Sequence, residues 1–227
     1  TYRTTLGSNI YFGKSRTARG IRWFDFTFWS EAKLSGLLVT FAFVATHNHF
    51  VLDRGGKVFN RTAPVIKLPE GATEEEHLAL VGLLNSSAAC FWMKQVCFNK
   101  GMGDEHWADR FEHDGGKVSQ FPLPEERPVD VTPTLDKLAQ QRAATLPATL
   151  SKQFPLSRSE LDAARTRANS LLGQMIAWQE ELDWWCYRAY GLLDDDLCYA
   201  GTPPEVALGE RAFEIVLARR MQAGELE

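Results

Sequence analysis

Short apolar segments separated by turn-forming residues dominate the first part of the chain. Residues 39–44 are apolar except for Thr40, which is typical of a buried strand, and residues 63–68 form another strand candidate. Between them, residues 50–52 and 58–59 flank the sequence Asp-Arg-Gly-Gly-Lys at 53–57, whose two glycines can adopt positive φ. This pattern predicts a hairpin within a mostly antiparallel sheet.

A helical pattern with a notch of small polar residues follows. The apolar run that leads to residues 85–87, Asn-Ser-Ser, resumes over residues 88–93 and breaks at Gly101. A polar, glycine-rich stretch then extends to residues 118–121, a short strand candidate that stops at the prolines of residues 122–124. The sequence therefore predicts a packed helix, an exposed loop and a closing strand.

The second half of the chain has the spacing of helices. Thr132 can cap a helix whose first turn contains Pro133. A longer helix is expected to begin at Ser157 or Ser159 and to end at Gly191. Its apolar residues recur at three- and four-residue steps and form one stripe: Leu161, Ala164, Ala168, Leu171, Met175, Trp178, Leu182 and Trp185. This stripe can pack on the rest of the chain or dock against another domain.

Together these elements predict an α+β fold. It consists of a mixed, mostly antiparallel sheet with a packed helix, followed by a helical region with one long amphipathic helix. We expect three parts, residues 1–128, residues 129–192, and a linker with a short helix over residues 193–227. The 227 residues, 44% of them hydrophobic, suffice to bury a core. No run of about 18 apolar residues occurs, so no membrane partner is expected.

The charges are distributed unevenly along the chain. The formal net charge of −4 argues weakly against nucleic-acid binding, but few acids precede Pro69. The basic residues of that region are Arg3, Lys14, Arg16, Arg19, Arg22, Lys33, Arg54, Lys57, Arg61 and Lys67. Such a region can neutralise phosphates and release their counterions, or it can be an ordinary solvated surface.

Aromatic residues follow the basic segment 14–22. Phe24, Phe26 and Phe28 alternate with polar residues, which predicts a half-buried strand with the three rings on one face. We expect these rings in the core rather than in contact with bases. The tryptophans of the segment fall on the other face, where one of them can pack against a sugar or a base.

The sequence His47-Asn48-His49 allows three interpretations. On a strand, His-x-His would point both rings to the same side, and Asp53 would add a carboxylate for a metal ion. Alternatively, Asn48 can pair with adenine while the histidines donate to phosphate or guanine. In the third interpretation, Thr46 and Asn48 only cap backbone groups at the end of a strand.

The cysteines give little sign of a metal site. None of Cys90, Cys97, Cys186 and Cys198 forms a CxxC pair, and a zinc site would need ligands closer together. We expect buried, reduced thiols of the kind found in cytoplasmic proteins.

Three ordered segments resemble the PglX-type methyltransferases of bacteriophage-exclusion (BREX) systems, which are related to fused restriction-modification methyltransferases. They are residues 39–69, residues 81–124 with the sequence LNSS and the exit VSQFPLP, and residues 179–192, QEELDWWCYRAYGL. The resemblance implies that residues 1–128 form a target-recognition-like domain and that residues 129–192 form a helical spacer or docking region.

Two motifs of amino-methyltransferases are missing from this sequence. No glycine-rich strand-to-helix loop for S-adenosylmethionine occurs. The tetrapeptide Thr-Pro-Pro-Glu at 202–205 lacks the polar acceptor and the aromatic residue that grip a flipped base. Because the chain also begins at Thr1 without a methionine, we expect a fragment of a larger enzyme. This segment alone is predicted to be non-catalytic and without a cofactor, and the full-length enzyme is predicted to use S-adenosylmethionine.

The sequence thus predicts the DNA target-recognition portion of an adenine-specific methyltransferase in phage defence. The predicted DNA-binding residues are Lys14, Arg16, Arg19, Arg22, His47, Asn48, His49, Arg54, Lys57, Arg61, Arg110 and Lys117. The last two lie in the glycine-rich stretch 101–117, which is either a functional loop or a disordered excursion. Expected partners are double-stranded DNA, the methyltransferase domain of the same polypeptide and other phage-defence proteins, in the cytoplasm.

Two further functions stay open. One is a protein-interaction module of a defence complex, in which the helix stripe and the acidic tail are used and DNA is not. The other is a metal-dependent nuclease that uses His47, His49 and Asp53.

Overall fold

The computed structural model describes residues 2–11, 13–25, 36–101, 109–152, 156–211 and 219–224. The chain divides into two compact units. Unit 1 comprises Thr1–Gly36 and Arg54–Val58, and unit 2 comprises Leu37–Asp53 and Phe59–Glu227. The boundaries near residues 128 and 192 that the sequence suggested are functional divisions and stay a prediction.

Unit 1 contains a short helix and a small hairpin. Helix α1 (Tyr2–Ser8) precedes strands β1 (Ile10–Tyr11) and β2 (Lys14–Ser15), which pair antiparallel. A 3-10 helix, Thr17–Arg19, follows and ends at Gly20 with a φ of 70°. In the predicted aromatic strand, Phe24 lies in a turn and is 61% exposed, and residues 26–28 lie outside the described residues.

Unit 2 contains two three-stranded sheets. Strands β3 (Leu38–Phe41), β5 (Phe50–Asp53) and β6 (Val65–Ile66) have the order β5-β3-β6. Strands β4 (Val44–Ala45), β7 (Phe98–Gly101) and β8 (Arg110–Glu112) have the order β4-β8-β7. All these pairs are antiparallel, so the α+β class is confirmed.

The antiparallel pairing agrees with the prediction, but the run 39–44, predicted as one strand, is divided between the two sheets. The backbone N–H groups of Phe41 and Phe43 donate to the carbonyls of Pro64 (3.3 Å) and Thr62 (3.1 Å). Beyond Phe43 the chain pairs with β8 instead. The run therefore serves as two short strands, and neither has the length that its hydrophobicity suggested.

The predicted hairpin between residues 50–52 and 58–59 is also wrong. Strand β5 pairs along its whole length with β3, from Leu38 opposite Asp53 to Phe41 opposite Phe50. Val58 is exposed. The β3 pairing is favoured because three of its four facing pairs, at Leu38, Val39 and Phe41, are buried on both strands, whereas only two apolar residues are present at 58–59 before a polar segment begins.

The helix with the small-residue notch is confirmed as two helices. Helix α2 (Glu74–Asn85) begins at a capping box in which Thr73 and Glu76 exchange hydrogen bonds. Helix α3 (Ser87–Val96) begins directly afterwards, and the hydroxyl of Ser86 accepts the N–H of Ala89 at 3.1 Å. Ser86 thus ends one helix and caps the next.

The strand predicted at residues 118–121 is a helical turn instead. Helix α4 (Gly115–Val118) begins at Asp114, whose carboxylate accepts the N–H of Gly116 at 2.8 Å. This side-chain cap fixes the helical start, which the apolar pattern of residues 118–121 does not reveal. Phe121 is nevertheless buried, as a core residue would be.

The C-terminal helices follow the prediction closely. They are α5 (Thr132–Ala144), α6 (Pro147–Leu150) and α7 (Arg158–Ala189). Helix α7 begins at a capping box between Ser157 and Glu160, and Gly191 follows its end with a φ of 64°. Thr132 is not a cap, because its hydroxyl donates to the carbonyl of Pro128 at 2.9 Å from inside the helix.

One core joins both sheets to the helices of unit 2. Its fully buried side chains include Val39 on β3, Leu83 on α2, Met93 on α3 and Leu182 on α7. Helices α2 and α5 approach closely at Gly82, where a Cβ would lie 2.1 Å from the Thr132 side chain. The middle and second half of the α7 stripe thus pack inside the chain, while Leu161 in its first turn stays exposed.

A buried carboxylate fixes the junction between α2 and α3. Asp183 on α7 is 2% exposed, and its oxygens accept the backbone N–H of Ser87 at 2.7 Å and the Ser87 hydroxyl at 2.6 Å. The guanidinium of Arg211 donates to the same carboxylate. Asn85 exchanges two hydrogen bonds of 2.8 Å with the backbone of Phe50 on β5. The LNSS sequence therefore ties a sheet, two helices and α7 together.

We expect Asp183→Asn to lower the free energy of unfolding by about 3 kcal/mol, because it removes the buried carboxylate that the half-buried Arg211 guanidinium contacts most closely and leaves only the longer contact with Glu180 at 3.9 Å. Urea denaturation of the purified chain measures this. The control is Asp162→Asn, also on α7, whose exposed pair with Arg158 spans 3.9 Å and contributes less than about 1 kcal/mol. Equal losses in the two variants would contradict the role given to Asp183.

Candidate nucleic-acid interface

The β4-β8-β7 sheet brings three distant parts of the sequence together. Strand β8 lies in the middle, with Glu112 opposite Val44 on one side and opposite Phe98 on the other. The backbone N–H of His113 extends the pairing by donating to the carbonyl of Phe43 at 2.7 Å. A bulge between Asn99 and Gly101 interrupts β7. The sheet is therefore small, and much of its surface is open to solvent.

Positive side chains surround this sheet. The ammonium of Lys94 lies 5.8 Å from the centre of the Phe111 ring, and that of Lys100 lies 5.3 Å from the Phe98 ring. The guanidinium of Arg61 lies 5.7 Å from the Phe43 ring. We call the following residues the β8 surface: His47, His49, Arg61, Lys94, Phe98, Lys100, Arg110 and Lys117.

Acidic residues neutralise only part of this charge. Glu112 forms an ion pair with Lys100, and the carboxylate of Asp109 accepts a hydrogen bond of 2.7 Å from Asn99. Within the ranges that the structure describes, Arg110 and Lys117 are exposed and form neither a hydrogen bond nor an ion pair through their side chains. These two cations, which the sequence singled out, are available to a negatively charged ligand.

Two histidines beside the sheet, His47 and His113, have lowered pKa values. Partial burial lowers the pKa of His47, and the nearby His49 and Lys94 lower it further. The ring of His47 lies 2.9 Å from the Thr46 hydroxyl through Nδ1, and its centre lies 6.2 Å from that of His49. Burial likewise lowers the pKa of His113. A lowered pKa favours the neutral ring, and a neutral imidazole has one hydrogen-bond donor and one acceptor.

Asn48 lies between the two histidines but uses its side chain internally. Its amide nitrogen donates to the carbonyl of Leu84 at 2.7 Å and to that of Ser86 at 3.1 Å. Both amide protons are thus engaged at the junction of α2 and α3. A bidentate contact with adenine needs one of these protons, so the structure favours the capping interpretation over the predicted contact with a base.

Two of the predicted arginines in unit 1 are also engaged internally. Arg16 is only 8% exposed, and its guanidinium donates to the carbonyl of Asp25. Arg22 pairs with the Asp25 carboxylate at 2.9 Å and lies 4.7 Å from the centre of the Phe24 ring. Arg16 therefore stabilises the fold of unit 1. Its burial does not fit the predicted contact with phosphate, which needs an exposed side chain.

The other predicted cations of unit 1, Lys14, Arg19, Arg54 and Lys57, are exposed. A cleft of about 770 Å³ in the same unit is lined by Arg3, Trp23 and several hydroxyl groups. Lys33 lies outside the described residues.

The residues proposed for a metal site do not form one. Asp53 is buried, while His49 is exposed. In the part of the chain that the structure describes, no group of three or more His, Cys, Asp or Glu side chains is placed to hold a metal ion. The four cysteines are free thiols, and burial raises the pKa of Cys186 to about 12.

Lys94, Phe98 and Lys100 belong to the β8 surface but were not predicted from the sequence. Lys94 interrupts an apolar helix, and its position in the last turn of α3 is the one available signal. Phe98 and Lys100 form part of the sequence Cys-Phe-Asn-Lys-Gly, in which no alternation indicates a strand.

The comparisons with known proteins agree with the motifs. Over 244 aligned positions, which include 99% of this chain, it is 48% identical to a protein of Streptomyces coelicolor named adenine-specific methyltransferase PglX. The chain spans 20% of the length of that relative. A family model described as a domain of unknown function, DUF7008, matches residues 175–227.

The resemblance to PglX-type methyltransferases that the three sequence segments indicated is therefore confirmed. The matched residues 175–227 contain Asp183 and Arg211, so this segment includes the carboxylate that holds the α2–α3 junction. Among the described residues, no helix has the length and hydrophobicity needed to cross a membrane.

We expect Asn48→Ala to lower the free energy of unfolding by about 1–3 kcal/mol, because the carbonyls of Leu84 and Ser86 lose their donor. Thermal or urea unfolding measures this loss. Asn169→Ala, at an exposed position of α7, is the control and is expected to change stability by less than about 0.5 kcal/mol. If Asn48→Ala left the stability unchanged and lowered the discrimination at one base pair of DNA, the predicted contact of Asn48 with adenine would be supported instead.

Proposed function

We propose that this chain is the DNA target-recognition portion of an adenine-specific methyltransferase in phage defence. The observation that carries the proposal is the β8 surface, where four cations lie around one small open sheet. Arg110 and Lys117 are exposed, while Lys94 lies over the Phe111 ring and Lys100 pairs with Glu112. The similarity to a PglX methyltransferase supplies the enzyme class in which such a surface has a use.

The chemistry of the β8 surface suits the backbone and the base edges of DNA. Lysine and arginine side chains neutralise phosphates and release counterions, which supplies affinity without regard to sequence. Histidine rings can donate hydrogen bonds to base edges in the major groove or accept them there. Sequence choice is thus assigned to His47 and His49, which lie in the segment between β4 and β5, while Arg110 is a phosphate contact.

The exposed cations of unit 1 form a second set of phosphate contacts in this proposal. Lys14 lies on β2, and Arg19 lies in the 3-10 helix. Arg54 and Lys57 lie in the segment Arg54–Val58, which belongs to unit 1 although it comes later in the sequence. Their role is affinity rather than sequence choice, because isolated lysine and arginine contacts to phosphate carry no base information.

The chemistry of methyl transfer is assigned to the rest of the polypeptide. The two apolar cavities of unit 2 measure about 260 and 340 Å³ and are lined mainly by aliphatic and aromatic side chains. Neither lies at a glycine-rich turn from a strand to a helix, and we therefore assign S-adenosylmethionine to the methyltransferase domain rather than to these cavities. In the full-length enzyme the methyltransferase domain would bind this cofactor and the flipped adenine, in the cytoplasm and together with other phage-defence proteins.

We expect the joint substitution of Lys94, Arg110 and Lys117 by alanine to reduce the slope of log affinity against log salt concentration by about 2 to 3, since each phosphate contact contributes about 0.9. Fluorescence anisotropy with a labelled mixed-sequence duplex, titrated at several salt concentrations, measures the slope. Circular dichroism verifies that the fold is intact.

The matched control removes the same charge from another place. Arg158, Arg165 and Arg167 are exposed near the start of α7, outside the β8 surface, and their joint replacement by alanine is expected to leave the slope unchanged. If both triple variants alter the slope equally, the affinity arises from overall charge and the β8 surface is not the interface.

A further inference from the structure

The β4-β8-β7 sheet has one face that no other part of the described chain covers fully. Side chains alternate between the faces of a sheet, so the register places Val44, Glu112 and Phe98 in one row on the same face. Phe98 is 67% exposed, and Val44 is exposed as well. This face is therefore open to solvent at both edge strands.

The same face carries two cations. Arg110 lies two residues before Glu112 on β8 and thus projects to the same side, and its side chain is exposed. Lys100 reaches this face as well, since its ammonium pairs with Glu112 and lies 5.3 Å from the Phe98 ring. This face of the sheet thus carries one aromatic ring, two cations and one carboxylate. The carboxylate neutralises one of the two cations.

Isolated exposed apolar residues are ordinary on protein surfaces and need no explanation. Phe98 differs from that case because its ring lies on a hydrogen-bonded strand and is flanked by cations. Phe91 provides the comparison: it is 70% exposed on helix α3, and no cation lies over its ring among the described residues.

An aromatic ring on an open sheet face beside cations has the chemistry that binds unpaired nucleotides. The ring stacks on a base, and the cations contact the neighbouring phosphates. In an intact duplex each base is already stacked on both sides, so the ring of Phe98 has access only to a base that has left the stack. The ligand of this face is therefore a duplex with an unpaired nucleotide rather than a continuous helix.

We propose that the open face formed by Phe98, Lys100 and Arg110 is a stacking platform for an unpaired nucleotide of the bound DNA. The inference rests on the proposed function and refines it. The surface then distinguishes paired from opened DNA, in addition to any choice of sequence. Phe98 supplies the stacking contact, and Lys100 and Arg110 hold the phosphates on either side.

The experiment compares two duplexes of the same sequence, one fully paired and one with a single mismatched 2-aminopurine. We expect the complete chain to bind the mismatched duplex about 5- to 100-fold more tightly, the effect of one base stacked on an aromatic ring. The fluorescence of 2-aminopurine should rise on binding, because the base leaves the neighbouring bases that quench it in the duplex. Phe98→Ala should lose the preference and the rise, and Phe98→Trp should keep the preference.

Phe91→Ala is the matched control, since it removes an equally exposed ring from the neighbouring helix, and it should behave as the unchanged chain does. If Phe98→Ala retains the preference, or Phe91→Ala loses it to the same degree, the stacking platform is overturned. Equal, salt-dependent affinity of the unchanged chain for both duplexes would overturn this inference and leave the proposed function standing. Absence of binding to either duplex would overturn both.

Discussion

The carboxylate of Asp183 is the contact on which the arrangement of unit 2 depends. It is buried on α7, and it accepts hydrogen bonds from the first residue of α3 and from Arg211 beyond the end of α7. A buried charge is costly unless its partners are complete, so this site tolerates only one placement of the three segments. The segment 175–227, which a family model describes only as a domain of unknown function, thereby becomes part of the support of the α2–α3 junction.

The effect of this junction extends to the β8 surface through polar contacts. Asn85 binds the backbone of Phe50, where β5 begins, and Asn48 binds the carbonyls of Leu84 and Ser86. The turn that carries His47 and His49 is thus held from both sides by the end of α2. The LNSS sequence is structural in this account, and its value for recognition lies in the position that it gives to neighbouring side chains.

Local signals explain which elements could be predicted. The capping serines at 86 and 157 and the glycine at 191 act through the backbone next to them, so helices α2, α3 and α7 follow from the sequence. Strand partners depend on distant residues, and for that reason the division of residues 39–44 between two sheets and the pairing of β5 with β3 did not follow. The candidate site shows the same limit. Arg110 and Lys117 are exposed as predicted, but the burial of Arg16, the internal bonds of Asn48 and the exposure of Phe98 are set by tertiary structure.

The proposed function requires that this chain bind one DNA sequence in preference to others. Selection of bound duplexes from a library with a randomised central segment, at a salt concentration that suppresses non-specific binding, tests it most directly. We expect one defined sequence to be enriched over successive rounds, and we expect the enrichment to be lost when His47 and His49 are replaced by alanine. Salt-dependent binding without enrichment of any sequence would contradict target recognition.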